Sequence, residues 1–134
     1  MTRVPELMAA GVNVAFGHDC KMDPWYGMGS GDMLEVAHIG LHVAQMTSQK
    51  RIRACFDAVT TNAAKVIRLQ GYGLEVGCNA SFVLLQVRDA VEAIQLRANR
   101  LKVWRKGVLV AEAPEVVARL KVAERPELVD VSNQ

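Results

Sequence analysis

The stretch Phe16-Gly-His-Asp-Cys20 sets an imidazole, a carboxylate and a thiol side by side where the short apolar run Val12-Asn-Val-Ala-Phe-Gly17 gives out. A carboxylate at the end of a buried strand is placed to hold a metal ion or a protonated substrate. Asp19 can equally close a turn on its own backbone, a common use of aspartate in loops. His18, alone beside an apolar strand, reads as a packing residue. Cys20 lacks the His-Asp order that activates a thiol nucleophile and reads as a small buried side chain. Trp25 and Tyr26 follow Asp23-Pro24, where an aromatic either folds down as a lid or faces a ligand. Farther on, Glu35, His38 and His42 have the spacing to share one helical face. That trio is metal-like, but it lacks the H-E-x-x-H order that supplies a general base, so buried, hydrogen-bonded histidines are expected.

The elements that must carry these residues follow from periodicity and punctuation. Residues 2–11 read as a short helix, with Thr2 as N-cap, Pro5 in the first turn and Gly11 past the end. Val12–Gly17 then reads as a buried strand of a parallel layer. Pro24, Gly27, Gly29 and Gly31 make residues 18–31 a long irregular loop, and such loops at strand ends are where α/β proteins place chemistry. Asp32 caps a helix that is apolar on more than one face, as a mostly buried helix would be. A second helical stretch over 51–69 breaks near Thr60-Thr-Asn62. Both are expected as outer-layer helices packed on a sheet.

Beyond Gln70 the pattern changes. Leu74–Gly77 is turn-like, Ala80–Val87 is a strand, and Asp89 opens a helix to about Asn99. Leu101–Val110 alternates around Lys106-Gly107, a hairpin signature. Residues 114–123 read as helix, followed by a polar end punctuated by Pro126. The expected divisions are therefore 1–70, 71–112 and a tail at 113–134. The front half opens on a single parallel strand, although parallel strands need neighbours. An unpaired apolar strand carrying Val12, Val14 and Phe16 invites a second copy of the chain, so a homo-oligomer is expected.

Composition narrows the function classes. With 134 residues, 51% of them hydrophobic and 22% charged, the chain has the make-up of an ordinary globular domain, which excludes disorder and fibres. A net charge of +2 is too small to steer it to nucleic acid or to an anionic membrane. Gly71–Gln86, among its longest nearly uncharged runs, is interrupted by Glu75 and Asn79, so no bilayer span is expected, and no apolar signal region follows Met1. Three cysteines without a C-x-x-C suggest neither a disulfide framework nor a zinc ribbon, which points to a reducing cytoplasm.

Taken together, Phe16-Gly-His-Asp-Cys-Lys-Met-Asp-Pro-Trp-Tyr-Gly-Met-Gly29 and Asp32-Met-Leu-Glu-Val-Ala-His-Ile-Gly-Leu-His42 resemble the end of a cytosine deaminase of the amidohydrolase superfamily. The likeness continues through Thr60–Ala64, Tyr72–Gly77, the Ala80–Leu85 strand and the Val103–Val110 hairpin, to about residue 112. It implies an α/β fold: the C-terminal portion of a metal-dependent (β/α)8 hydrolase barrel, holding its last strand and helices, plus part of a small β-sandwich. A complete barrel needs about 250 residues, so a fragment is expected.

The resemblance also implies roles. The position matching the family's metal-ligating, proton-shuttling aspartate is Asp19. Trp25 matches an aromatic beside the pyrimidine pocket. Cys20 stands next to the substrate where close members carry a second aspartate, and a neutral thiol offers no carboxylate to a ring N–H. A creatinine-like or isoguanine-like base is therefore as open as cytosine. The parent enzyme would use a divalent metal, iron or zinc, and a pyrimidine-like small molecule. The family's His-x-His pair, its other histidine ligands and its acidic glutamate have no counterpart here, so no tightly bound metal and no activity are expected of the chain alone. His38 and His42 match positions on the helix after the last strand. A second reading makes the chain a non-catalytic interaction or oligomerisation module derived from that fold. An in-frame upstream continuation carrying His-x-His favours the enzyme, and a stop codon and promoter before Met1 favour the module.

Overall fold

Asp32 shows how local chemistry sets the architecture. In the computed structural model, which describes residues 2–122 and Glu124, its Oδ1 accepts the Leu34 N–H at 2.8 Å and caps helix α2, Met33–Val43. The same oxygen receives the Arg100 guanidinium from the start of a strand, so one carboxylate starts a helix and ties it to a sheet. Before it, α1 covers Val4–Ala9 with Arg3 rather than Thr2 at its N-cap. Gly11, at φ +79°, turns the chain out of that helix as expected.

Helices α3 (Gln49–Val59) and α4 (Thr61–Val66) divide at Thr60, whose hydroxyl donates to the Phe56 carbonyl at 2.7 Å. That bond to the carbonyl four residues back competes with the helical ladder, which is why the break falls there. The sheet is a three-stranded antiparallel meander: β1 (Phe82–Leu85), β2 (Arg100–Arg105) and β3 (Val108–Glu112), in that order. Lys106 and Gly107 both have positive φ, 48° and 82°, as a two-residue type I′ hairpin turn requires. Phe82 pairs with Trp104 across β1 and β2, their rings 4.7 Å apart.

The core lies among helices. Leu34, Ala37 and Leu41 of α2, Ile52 and Cys55 of α3, and Val91, Ala93 and Ile94 of α5 (Ala90–Gln95) form one buried cluster with Val4, Met46 and Ala98. It draws on residues from both sides of Gln70. The expectation that α2 and α3 pack as an outer layer on a sheet is corrected: the two helices pack on each other and on α5. Nor is α2 mostly buried, since Ile39 and Val43 are exposed.

Two further expectations are corrected. No strand forms over residues 12–17. A parallel strand is defined by neighbours, and this segment meets instead the Ala58 carbonyl, which accepts the Phe16 N–H at 2.9 Å, and the Asn62 side chain, which donates to the Val14 carbonyl at 3.1 Å. Residues 114–122 are not helical. Val116 and Val117 are exposed, so a helix there would have no face to bury, and the Gln86 amide pairs with both backbone groups of Val116 at 2.9 and 3.0 Å. Ala123 and the Pro126 end lie outside the described residues. All three cysteines are free thiols, and no helix among the described residues is long and apolar enough to cross a membrane.

Asp89 gives a pH-dependent prediction. Its Oδ1 caps α5 by accepting the Val91 and Glu92 N–H groups at 2.8 and 3.0 Å. The Glu92 N–H is the main cause of a carboxyl pKa below the ordinary value; partial burial opposes it, and the Val91 N–H, Arg53 and Arg88 add to the lowering. A carboxyl depressed in the folded state stabilises above its unfolded pKa of about 3.9 and loses that contribution as the pH falls through the folded value. Val91 and Glu92 amides should therefore lose hydrogen-exchange protection below about pH 4, and Asp89→Asn should remove that part of the pH dependence.

Candidate active site

Phe16 seats the site. Its ring lies against Gly40 of α2 so closely that a Cβ at Gly40 would stand 2.7 Å from the ring edge. Gly40→Ala gains about 1 kcal/mol of helix propensity, but overpacking costs about 1–3 kcal/mol, and Phe16 is pinned at its backbone by the bond to Ala58. Net destabilisation in urea unfolding is expected.

Past Phe16 the chain enters a cleft of about 770 Å³, floored by the exposed apolar face of α2 (Val36, Ile39, Gly40 and Val43) and rimmed by His18, Asp19, Cys20, Tyr26 and Glu35. Asp19 is exposed, and its carboxylate has no hydrogen-bond partner among the described residues. His18, Cys20, Asp23 and Glu35 near it are committed. Asp23 organises the loop: Oδ1 accepts the Trp25 and Tyr26 N–H groups at 3.0 and 3.1 Å, and Oδ2 the Lys21 N–H at 3.1 Å. Partial burial raises the Asp23 carboxyl, and the three backbone donors together with the Cys20 thiol outweigh it, leaving the pKa below the ordinary value.

Cys20 is half-buried, and desolvation, its bond to Asp23 and the charge of Asp19 all push its thiol up. It is therefore held protonated at neutral pH, as an unactivated thiol is. Ser30 donates to Glu35 and accepts the Asp32 N–H at 3.1 Å, fastening the loop's far end to α2.

The family resemblance joined Asp19, Cys20 and Trp25; the structure brings the first two to the cleft and leaves Trp25 outside it, 87% exposed. Tyr26 is the aromatic that lines the cleft. Sequence reasoning left Asp23 unassigned beyond the loop, although an acidic residue followed by Pro and two aromatics is itself an Asx-turn signal.

The His38 ring uses both nitrogens: Nδ1 meets the Ile94 carbonyl at 3.1 Å, and Nε2 lies 3.4 Å from Arg97. That is the expected hydrogen-bonded histidine. His42 departs from the expectation of burial, because the helix turns it to the exposed side in the last turn, with its ring edge-on to His38 at 4.8 Å. There its charged form would complement the helix C-terminus. No group of three metal-binding side chains assembles among the described residues. A larger concavity of about 1680 Å³, between the sheet and α3–α4 and lined by Phe56, Ala64, Tyr72, Phe82 and Trp104, does not include Asp19. Its lining carries charged groups too, among them Asp32, Asp57, Lys65, Arg68, Glu75 and Arg100, but none of the Phe16–Cys20 string, which lines the smaller cleft.

Residues 1–111 match the model of the Amidohydrolase family. The chain belongs to the amidohydrolase family. It is similar to the 5-methylcytosine deaminase from Klebsiella pneumoniae, solved with 5-fluorocytosine, at 35% identity and a TM-score of 0.84 over 90% of this chain and 29% of that one. It is also similar to the N-isopropylammelide isopropylaminohydrolase from Burkholderia multivorans ATCC 17616, at 33% identity and a TM-score of 0.79 over 82% of this chain and 28% of that one. Among curated proteins, the N-isopropylammelide isopropyl amidohydrolase of Pseudomonas sp. (strain ADP) is 29% identical over 116 residues, which are 86% of this chain and 29% of that protein. The chain thus spans less than a third of the length of these amidohydrolases.

Proposed function

We propose that this chain is the segment of a cytosine-deaminase-like, metal-dependent amidohydrolase that supplies the Val12–Gly17 run, which would pair as the last strand once the rest of a (β/α)8 barrel flanks it, with the following helices and part of a small β-sandwich. The single observation that carries this reading is the Asp19 carboxylate, standing at the end of the Val12–Gly17 run with no hydrogen-bond partner among the described residues while the groups around it are engaged. An exposed carboxylate free of protein partners fits one position in the ligand set of a divalent ion, iron or zinc, and does not complete one. When bound, that ion supplies hydroxide from water at neutral pH.

Asp19 would hold the ion as one ligand among several. Its carboxylate would take up a proton at Oδ and release it to the departing amine, so that hydrolysis at an amidine-like ring carbon leaves a neutral leaving group. Tyr26 would bound the ring on the cleft side. Trp25, exposed on the same loop, would close over the pyrimidine-like substrate from outside. Cys20, whose thiol is turned to Asp23, would present no carboxylate to a ring N–H, which leaves other amidine-bearing rings open beside cytosine.

A chimera tests this. Residues 1–111 would replace the matching segment of the Klebsiella pneumoniae 5-methylcytosine deaminase, and ammonia or amine release would be assayed on cytosine, 5-methylcytosine, isocytosine, creatinine and N-isopropylammelide. Turnover of at least one ring is expected. A folded, metal-loaded chimera inactive on all five would overturn the reading.

A further inference from the structure

The loop from His18 to Gly31 is exposed over most of its length, yet it closes on itself at a neck made by two of its own residues. The Gly31 N–H donates to His18 Nε2 at 3.3 Å, joining positions 13 apart. Beside that bond Gly29 is buried, the one buried residue of the loop. A Cβ at Gly29 would overlap the Cys20 carbonyl oxygen and stand 2.7 Å from His18 Cε1. The two ends of the loop therefore meet with no room for a side chain between them. The neck is anchored beyond itself, because Gly31 adjoins Asp32, which caps α2 and holds Arg100 of the sheet. Asp19 leaves the neck on one side. Trp25 stands at the far end of the loop, on the turn that Asp23 organises.

We propose that His18 is a positioning residue, whose imidazole braces the neck of the loop and thereby fixes where Asp19 and Trp25 stand relative to α2; this rests on the reading of Asp19 as the site's carboxylate. Nothing but Gly31 is bonded to the His18 ring among the described residues, so the imidazole serves as an acceptor at Nε2 and carries its proton at Nδ1. The brace depends on an acceptor at one point in space, which separates it from mere bulk. Glutamine places its amide oxygen near the Nε2 position of histidine, whereas asparagine reaches only as far as Nδ1.

The experiment is solution NMR of the full chain without metal, comparing wild type, His18→Gln and His18→Asn. In the wild type, His18 is expected as the Nδ1–H tautomer with a coupling through the hydrogen bond to the Gly31 amide. His18→Asn should speed Gly31 amide exchange about tenfold, the loss of one hydrogen bond, and broaden the Asp19 and Trp25 resonances. His18→Gln should keep both close to wild type. An Nε2–H tautomer in the wild type overturns the proposal without any variant. So does a glutamine variant that exchanges as fast as the asparagine one, or an asparagine variant that leaves Asp19 and Trp25 unmoved. Because all of this is read on metal-free chain, it stands or falls apart from the Asp19 assignment, which is decided by the chimera's turnover.

Discussion

Asp19→Ala in the active chimera is expected to lower kcat/KM by about 10³-fold or more. Proton transfer by a positioned carboxylate is alone worth about 10²–10⁴-fold, and loss of a metal ligand adds to it. The magnitude separates chemistry from folding. Asp19 is exposed and makes no hydrogen bond among the described residues, so its removal leaves no buried group unpaired and should change stability by no more than about 0.5 kcal/mol. His42→Ala is the matched control. It too is exposed, and it should leave turnover and stability near those of the parent chimera. Asp19→Asn divides the two duties, since the amide keeps the shape and a weaker oxygen donor but cannot take up a proton at neutral pH. It should retain more metal than the alanine variant while turning over as poorly. Near-parental turnover of the alanine variant with metal still bound would remove Asp19 from the mechanism.

The features that could be read from the sequence are those governed by neighbours along the chain. Asp32 and Asp89 cap helices because a short acidic side chain reaches the N–H groups two and three residues on. Lys106-Gly107 turns a hairpin because both residues take positive φ. Thr60 breaks a helix by bonding four residues back. The features that escaped depend on partners distant in the sequence. Val12–Gly17 has the composition of a buried parallel strand, but its hydrogen bonds go to Ala58 and Asn62, and nothing local could show that. His42 and His38 share a helical face by spacing; only the Ile94 carbonyl, 56 positions away from His38, decides which of them is engaged. At the site the same division holds. Asp19 and Cys20 stand out by type and place, whereas Tyr26 supplants Trp25 at the cleft through the path of a loop that Asp23 folds from within. The family likeness could be read from Phe16–Gly29 because that string is local, and a family model matches residues 1–111.

The chain by itself is expected to bind no divalent ion tightly and to release no ammonia from cytosine. A catalytic site needs about three protein ligands and an open position for water. Around Asp19 the candidates are accounted for one by one. Asp23 gives its oxygens to three backbone N–H groups, Cys20 keeps its proton, and Glu35 is taken by Ser30. His18 accepts from Gly31, and His38 is held between Ile94 and Arg97. Association of copies would not change this, since each copy brings another Asp19 with the same engaged neighbours. The measurement is metal content of the 134-residue protein after chelator washing and reloading with zinc or iron, together with ammonia release from cytosine, isocytosine and creatinine. Less than about 0.1 ion per chain is expected, as a single carboxylate ligand leaves a divalent ion largely to water. Stoichiometric metal with turnover above background would show that the histidines rearrange to bind it. In that case His38→Ala, which should otherwise free only the Ile94 carbonyl and the Arg97 guanidinium, would be the variant that abolishes metal uptake.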